Sequence, residues 1–223
     1  MDINQLIPAL AVNALPVLFA ITVHEAAHGY AARHFGDNTA WAMGRVTLNP
    51  IKHIDPVGTI LIPLALMLLN APFVFGYAKP VPVRFGNLRN PKRDMIWVAL
   101  AGPGANLAQA WIWGVLFYLI VGAGISESSL FFNEMCQAGI KWNVLLFAFN
   151  LFPLPPLDGG RILVGLLPYR AAEAVSRIEP WGFFVVLALA YVGVIGLLWM
   201  EPLSGATYGL LKLALLPFSW LAN

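Results

Sequence analysis

The sequence predicts an all-α polytopic membrane protein that forms a single domain over residues 1–223. Of the 223 residues, 59% are hydrophobic and only 11% are charged, and the mean hydropathy is +0.73. Soluble domains carry about 25% charged residues. Several apolar stretches are also long enough to cross a bilayer, which takes about 20 residues of helix. A soluble core of this length cannot enclose so much apolar surface, so lipid must cover part of it.

The apolar stretches indicate about five to six membrane segments. The first runs from about residue 6 to residue 32, and the others cover about 54–75, 95–124, 138–157, 181–200 and 203–221. Residues 77–93 form a basic loop between them. Within this loop Val81-Pro82-Val83-Arg84-Phe85 permits a short edge strand, because proline is confined to the edges of sheets.

Basic residues orient these segments, because short cytoplasmic loops of membrane proteins are enriched in Lys and Arg. By this rule the stretch after the first helix, the loop 77–93 and the arginines within 161–177 are cytoplasmic. Both flanks of 54–75 are then on one side, which favours a re-entrant or shallow segment, and a full crossing is the alternative. Residues 203–221, which contain Lys212, either span the membrane or lie on its surface.

Charge and cysteine content exclude several other classes of protein. The formal net charge of +2 is too small to indicate a nucleic-acid partner. The single cysteine, Cys136, rules out an internal disulfide and a thiolate metal cluster. No Lys or Arg precedes Arg33, so we expect no cleavable signal peptide.

The residues that indicate chemistry begin inside the first apolar stretch, with His24-Glu25-Ala26-Ala27-His28. Histidines four residues apart lie on one face of a helix, where both imidazoles can bind one zinc ion. The glutamate between them can take a proton from water bound to such an ion. The alternative is a pair of structural histidines. However, ionisable groups within a membrane span cost several kcal/mol and usually serve a function.

A zinc ion held by two histidines needs a third protein ligand, and an intramembrane acid is the candidate. The stretch 138–157 ends in a proline-rich run that must unwind the helix and can line a cavity. Asp158 follows this run directly. It either binds the metal or caps a helix that starts at Gly159, and the two histidines favour the ligand.

Three motifs in this order resemble the signatures of the site-2 protease family of intramembrane metalloproteases. They are His24-Glu25-x-x-His28, Gly102-Pro103-x-x-Asn106, and Asn150-x-x-Pro153 leading to Asp158-Gly159. Residues 49–59, Asn-Pro-Ile-Lys-His-Ile-Asp-Pro-Val-Gly-Thr, resemble the compact prokaryotic branch, which lacks a PDZ domain. The resemblance covers roughly residues 15–165.

The resemblance implies a three-helix catalytic core, within about residues 6–165, that holds one Zn²⁺ below the cytoplasmic membrane surface. Additional membrane segments would follow at 181–221. Zinc would be bound by His24, His28 and Asp158, with Glu25 as the general base. The amides of Asn106 and Asn150 would hold the substrate strand or stabilise the oxyanion. For Asn106 the alternative is a hydrogen bond between helices.

The implied function is hydrolysis of peptide bonds in or near transmembrane segments of substrate proteins, in regulated intramembrane proteolysis. We expect an integral protein of a prokaryotic plasma membrane, with the active site nearer the cytoplasm. The alternatives are a metal transporter that uses the same ligands and an inactive protein that binds transmembrane helices. The scarcity of polar residues on the far side argues against transport, and the intact Glu25 argues against an inactive protein.

Overall fold

A computed structural model of the protein describes residues 3–69, 76–124 and 127–222. These residues contain nine α-helices and no β-strand, so the predicted all-α class is confirmed for this part of the chain. The α-helices are α1 (Ile3–His34), α2 (Thr39–Ala42), α3 (Ile62–Leu68), α4 (Pro91–Gly122), α5 (Glu127–Asn150), α6 (Asp158–Leu166), α7 (Tyr169–Ser176), α8 (Glu179–Tyr191) and α9 (Glu201–Leu215). Shorter 3₁₀ or π turns cover Pro50–His53, Pro56–Leu61, Phe85–Asn87, Gly196–Met200 and Leu216–Ala222.

Helices α1, α4 and α5 pack together at the centre of the molecule. Helix α4 runs antiparallel to both of the others, so α1 and α5 are parallel and their C-terminal ends lie on the same side. The residue pairs that fix these directions are His24–Asn106 and His28–Val98 between α1 and α4, and Asn106–Asn143 and Trp113–Gly139 between α4 and α5.

Two segments of the described chain are long and apolar enough to cross a membrane, Ile7–His34 and Pro91–Gly122. A third is added if α7 and α8, which meet at a bend of 67°, form one span. The structure therefore supports the predicted five to six segments only in part. Helix α5 has sufficient length, at 24 residues, but polar residues interrupt its apolar sequence.

The described residues on the two sides of the apolar stretch 54–75 contact each other. A π turn and α3 occupy Pro56–Leu68, and this helical part is short for a bilayer about 30 Å thick, since 13 residues of α-helix span roughly 20 Å. On the return of the chain, the N–H of Tyr77 donates to the carbonyl of Gly58 at 3.0 Å. Residues 70–75 lie outside the described residues. The meeting of residues 58 and 77 agrees with a re-entrant or shallow segment.

The short edge strand that the sequence permits at residues 81–85 is not formed. Pro82 in this segment has no N–H to donate, and other N–H groups bind side chains instead of a strand. That of Val81 donates to Glu25 at 2.7 Å, and that of Arg84 donates to Asp37 at 2.7 Å. The segment is therefore an extended loop attached to α1 and to the turn that follows it.

The last apolar stretch packs along the central helices. Leu211 of α9 lies in a buried cluster with Ala110 and Val144, and the indole N–H of Trp111 donates to the carbonyl of Ala214 at 3.4 Å. Whether this stretch spans the membrane or lies on its surface stays a prediction.

Candidate metal centre

The two histidines of the first motif project from α1 toward α4, with their Nε2 atoms 3.0 Å apart. Helix α4 approaches them closely at Gly102. A methyl group on Gly102 would overlap Nε2 of His28 and would lie 2.6 Å from Cε1 of His24, whereas carbon atoms in contact are about 3.5–4.0 Å apart. Glycine at this position therefore allows both imidazoles to lie against α4.

Both imidazoles are oriented by hydrogen bonds at Nδ1. Nδ1 of His28 is 2.7 Å from the carbonyl oxygen of Val98, and Nδ1 of His24 is 2.6 Å from Oδ1 of Asn106. Both partners are acceptors, so in each neutral ring the proton is on Nδ1. The lone pair is consequently on Nε2, the atom that faces the other ligands.

Asp158 reaches the histidines from the start of α6, over which the preceding loop folds. Leu157 occupies the N-cap position and Asp158 is the first helical residue, so the aspartate is not the cap. A methyl group on Gly159 would overlap the carbonyl of Leu151, and one on Gly160 would overlap the backbone nitrogen of Pro155. These two glycines allow the loop 151–157 to pack directly on the helix that carries Asp158.

The three predicted ligands converge on one point. Oδ2 of Asp158 lies 3.2 Å from Nε2 of His24 and 3.3 Å from Nε2 of His28. With Nδ1 carrying the proton in each ring, three lone-pair atoms face one another, and Oδ2 is buried without a hydrogen-bond donor. Their separations match the edge of a zinc tetrahedron, roughly 3.3 Å for zinc–ligand distances of about 2.0–2.1 Å. The donor set therefore fits one Zn²⁺.

Glu25 lies beside this centre and is held from outside α1. Its Oε2 accepts the N–H of Val81 at 2.7 Å. The side chain of Val81 is itself buried, with 7% of its surface exposed. The extended loop thus fixes the carboxylate at the wall of the cavity that contains the ligands.

Two adjoining cavities meet at the metal centre, and both are lined by His24, Glu25 and Asn150. The first, about 340 Å³, extends toward the loop 81–85 and Arg161. The second, about 580 Å³, is more apolar and lies between α1, α5 and the segment 76–80. All three predicted ligands line the first cavity, whereas His24 and Glu25 also line the second, more apolar one.

The two predicted substrate-binding amides lie in different places. Asn150 lines both cavities, and its amide donates to the carbonyl of Leu146 at 3.0 Å within α5. Asn106 is fully buried behind His24 and lines neither cavity. Only Asn150 is therefore positioned to contact a substrate in this structure.

Asn143 and Val81 also support the site, and the sequence did not identify either of them. Asn143 of α5 binds Asn106 at 2.9 Å and is itself fully buried. Val81 binds Glu25 through its backbone, which no side-chain pattern reveals. The available signal for Asn143 is a polar residue within an apolar run, which is unusual enough in membrane helices to mark a partner.

Comparison with known proteins identifies relatives over most of the chain. It is 39% identical over 205 residues to "Putative zinc metalloprotease YwhC" of Bacillus subtilis, covering 91% of this chain and 88% of that protein. It is 28% identical over 176 residues to "Putative zinc metalloprotease Rip2" of Mycolicibacterium smegmatis, covering 77% of this chain and 63% of that protein. A protein of the same name from Mycobacterium tuberculosis is 27% identical over 205 residues, covering 86% and 74% of the two chains. No protein-family model and no solved structure matches the chain.

Proposed function

Since the chain belongs to the same family as these zinc metalloproteases, the site-2 protease family, we propose that it is an intramembrane zinc metalloendopeptidase. Its substrates are other membrane proteins, cleaved in or near their transmembrane segments in regulated intramembrane proteolysis. The observation that carries this proposal is the convergence of His24, His28 and Asp158 beside the carboxylate of Glu25.

The depth of the site supports cleavage within the bilayer. His24 and His28 lie 10 and 6 residues before the end of the apolar segment Ile7–His34, which places them roughly 9–15 Å from that end. Arg33 and the basic loop 77–93 lie on the same side as that end. We therefore place the site below the cytoplasmic surface of a bacterial plasma membrane. In this arrangement α5, α8 and α9 complete the five to six membrane segments.

Zinc bound by the two histidines and Asp158 would supply a Lewis acid that polarises the scissile carbonyl and lowers the pKa of water. Glu25 is placed to accept a proton from the attacking water and to pass it to the leaving amine. The amide of Asn150 is the donor on the cavity wall that can bind the substrate backbone or the developing oxyanion.

The apolar cavity supports a route for the substrate from the lipid. Ile21 of α1 and Leu146 of α5 line it, and so does Tyr77 after the re-entrant stretch. A helical peptide bond is shielded by its own turn, so the substrate segment must unwind before its carbonyl reaches the metal centre. The first cavity, with Arg161 at its wall, offers a more polar environment for the extended strand.

The proposal is tested by comparing wild type with Glu25→Gln after purification in detergent. Zinc content is measured together with cleavage of a model transmembrane substrate. We expect one zinc per chain in both proteins and cleavage only by wild type, because the amide keeps the shape of the glutamate and cannot take a proton. A chain without zinc contradicts the proposal.

The same pair of variants separates the protease from a metal transporter with these ligands. Reconstituted into vesicles, a transporter would carry zinc across the bilayer, and Glu25→Gln would leave that flux intact. Flux without cleavage of any transmembrane substrate would replace the proposed function with transport.

A further inference from the structure

We propose that Asn143, acting through Asn106, is a positioning residue that sets the orientation and protonation of the metal ligand His24. The inference rests on the proposed metal site and does not depend on which substrate is cleaved. Asn143 is on α5, Asn106 is on α4 and His24 is on α1. These three residues, called the amide chain below, connect all three central helices.

The amide chain is a series of short hydrogen bonds without access to water. Nδ2 of Asn143 donates to the carbonyl of Gly139 at 2.9 Å, and Oδ1 of Asn143 accepts from Nδ2 of Asn106 at 2.9 Å. Oδ1 of Asn106 then lies 2.6 Å from Nδ1 of His24. Both asparagines are fully buried and His24 is 7% exposed.

Backbone carbonyls fix the direction of this chain. The carbonyl of Gly139 can only accept, so the nitrogen of the Asn143 amide must face it and the oxygen must face Asn106. The carbonyl of Ala20 accepts from Nδ2 of Asn106 at 3.1 Å. The nitrogen of the Asn106 amide therefore faces two acceptors, and its oxygen faces His24. If either amide were rotated, oxygen would face oxygen in a buried site.

The consequence for His24 is a single permitted form of the neutral ring. The oxygen of Asn106 can only accept, so Nδ1 of His24 carries a proton and Nε2 keeps its lone pair. His28 reaches the same form through the backbone carbonyl of Val98. The orientation of His24 therefore depends on two side chains, whereas that of His28 depends on the main chain.

A purely structural role for Asn143 predicts a different result from a positioning role. As a link between helices it would support the fold, and its loss would lower the stability of the zinc-free protein. As a positioning residue it holds the oxygen of Asn106 toward His24, and its loss leaves the Asn106 amide held by the carbonyl of Ala20 alone. Zinc affinity would then fall more than the stability of the zinc-free protein explains.

The test compares Asn143→Leu with Asn133→Leu, a matched change on the same helix. Asn133 is also buried, at 6% exposure, but its partner Gln137 is on α5 and neither residue contacts the metal centre. Zinc affinity is measured by chelator competition on the full-length protein in detergent. Thermal unfolding is measured on the zinc-free form of each variant.

We expect Asn143→Leu to weaken zinc binding by about 10–100-fold, the usual effect of losing a residue that orients a metal ligand. Asn133→Leu should leave the zinc affinity within about twofold of wild type, because Asn133 does not orient a metal ligand. Asn143→Asp should restore much of the loss, because one oxygen still accepts from Asn106 and the neutral acid can donate to Gly139. Equal zinc affinities in Asn143→Leu and Asn133→Leu would overturn the proposal.

A second measurement on wild type covers the case in which Asn143→Leu does not fold. Nitrogen-15 spectra of histidine-labelled, zinc-free protein report which ring nitrogen carries the proton, and a His24→Gln variant assigns the signal. We expect Nδ1 of His24 to carry a proton, and an Nδ1 without a proton would overturn the proposal. Wild type that never binds zinc would defeat the proposed function, while these spectra would still decide the role of the amide chain.

Discussion

His24 and His28 lie one turn apart in the C-terminal half of a 32-residue helix, whereas Asp158 follows a proline-rich loop at the first position of a 9-residue helix. The spacing of the histidines is set by the pitch of α1 alone. The position of Asp158 depends on contacts of the loop 151–157 with the helix that follows it. The two regions thus deliver ligands to one point by local and by non-local means.

This difference indicates where each region is vulnerable. A substitution on α1 leaves the backbone spacing of the two histidines intact. The orientation of their rings depends on contacts with α4. A change at the start of α6 moves the backbone of the ligand itself. Substitutions that add one methyl group at a close contact can therefore separate the two cases, because they add no charge or polar group.

The largest effect is expected from Gly159→Ala, which disrupts the contact between the loop 151–157 and the helix that carries Asp158. The added methyl group overlaps backbone atoms of Leu151 and Phe152, which cannot rotate away. We expect loss of zinc binding together with at least about 1–3 kcal/mol of stability. The measurements are zinc content and thermal unfolding of the purified protein.

Gly209→Ala is the control for this change, since no atom lies within 4 Å of the added methyl group in α9. It should keep zinc and raise helix stability by about 0.5–1 kcal/mol. Normal zinc content in Gly159→Ala would show that the loop contact does not place Asp158.

Gly102→Ala tests the two ligands on α1. It should abolish zinc binding while the fold persists. Its methyl group overlaps imidazole atoms, which can rotate out of the way and thereby leave the metal position. Gly104→Ala, two residues along the same helix, meets no atom within 4 Å and should bind zinc normally. The measurement is zinc stoichiometry beside circular dichroism. Equal stoichiometry in the two variants would contradict the close approach of α4.

Val81→Pro has a smaller effect and sharpens the comparison at the general base. It removes the N–H that binds Glu25 and leaves the three ligands in place. We expect unchanged zinc content and a fall in kcat of up to about 100-fold, since a displaced catalytic group costs this much. Val81→Ala keeps the N–H and should retain most of the activity in the same cleavage assay. If both variants cleave equally well, the hydrogen bond has no part in catalysis.

The smallest effect on the metal centre is expected at Asp37, just beyond the apolar part of α1. Burial alone would raise the pKa of Asp37, but hydrogen bonds from Thr39, from the N–H of Arg84 and from Asn87 hold it below its usual value of 3.8. The charged form is therefore favoured by folding. Its contribution to stability is present above the usual pKa and is lost as the pH falls through the lowered one.

Asp37→Asn should accordingly leave zinc binding unchanged and flatten the pH dependence of unfolding below about pH 4. At neutral pH it should cost about 1–3 kcal/mol, because an amide donor replaces an acceptor facing N–H groups. Denaturant unfolding across the acid range provides the test. An identical acid limb in wild type and variant would show that this carboxylate does not control acid stability.

The grouping of His24, His28 and Asp158 could be predicted from the sequence because it follows from short spacings and local composition. The i, i+4 histidines share a helical face in any α-helix, and Asp158 was identified because a carboxylate follows prolines at the end of an apolar stretch. The all-α class followed from composition in the same way. These features need no knowledge of how distant segments pack.

What the sequence could not predict depends on the register between helices. Asn106 and Asn143 are 37 residues apart in the chain, and their contact exists only because α4 and α5 align at that level. The possible edge strand at 81–85 is absent for a related reason. The N–H of Val81 donates to the carboxylate of Glu25, which is distant in the sequence, and not to a neighbouring strand. The same register explains the polar residues of α5. Asn143 binds a residue of a neighbouring helix, and such polar residues lower the mean hydropathy by which a membrane span is recognised.

The support of His28 has a consequence for how relatives of this chain can diverge. Its partner is the main-chain oxygen of Val98, which every amino acid carries, so residue 98 is free to drift among apolar side chains of similar size. Residues 106 and 143 have less freedom, because their side chains bind each other in a buried site. We therefore expect these two positions to change together across the family, while position 98 varies independently.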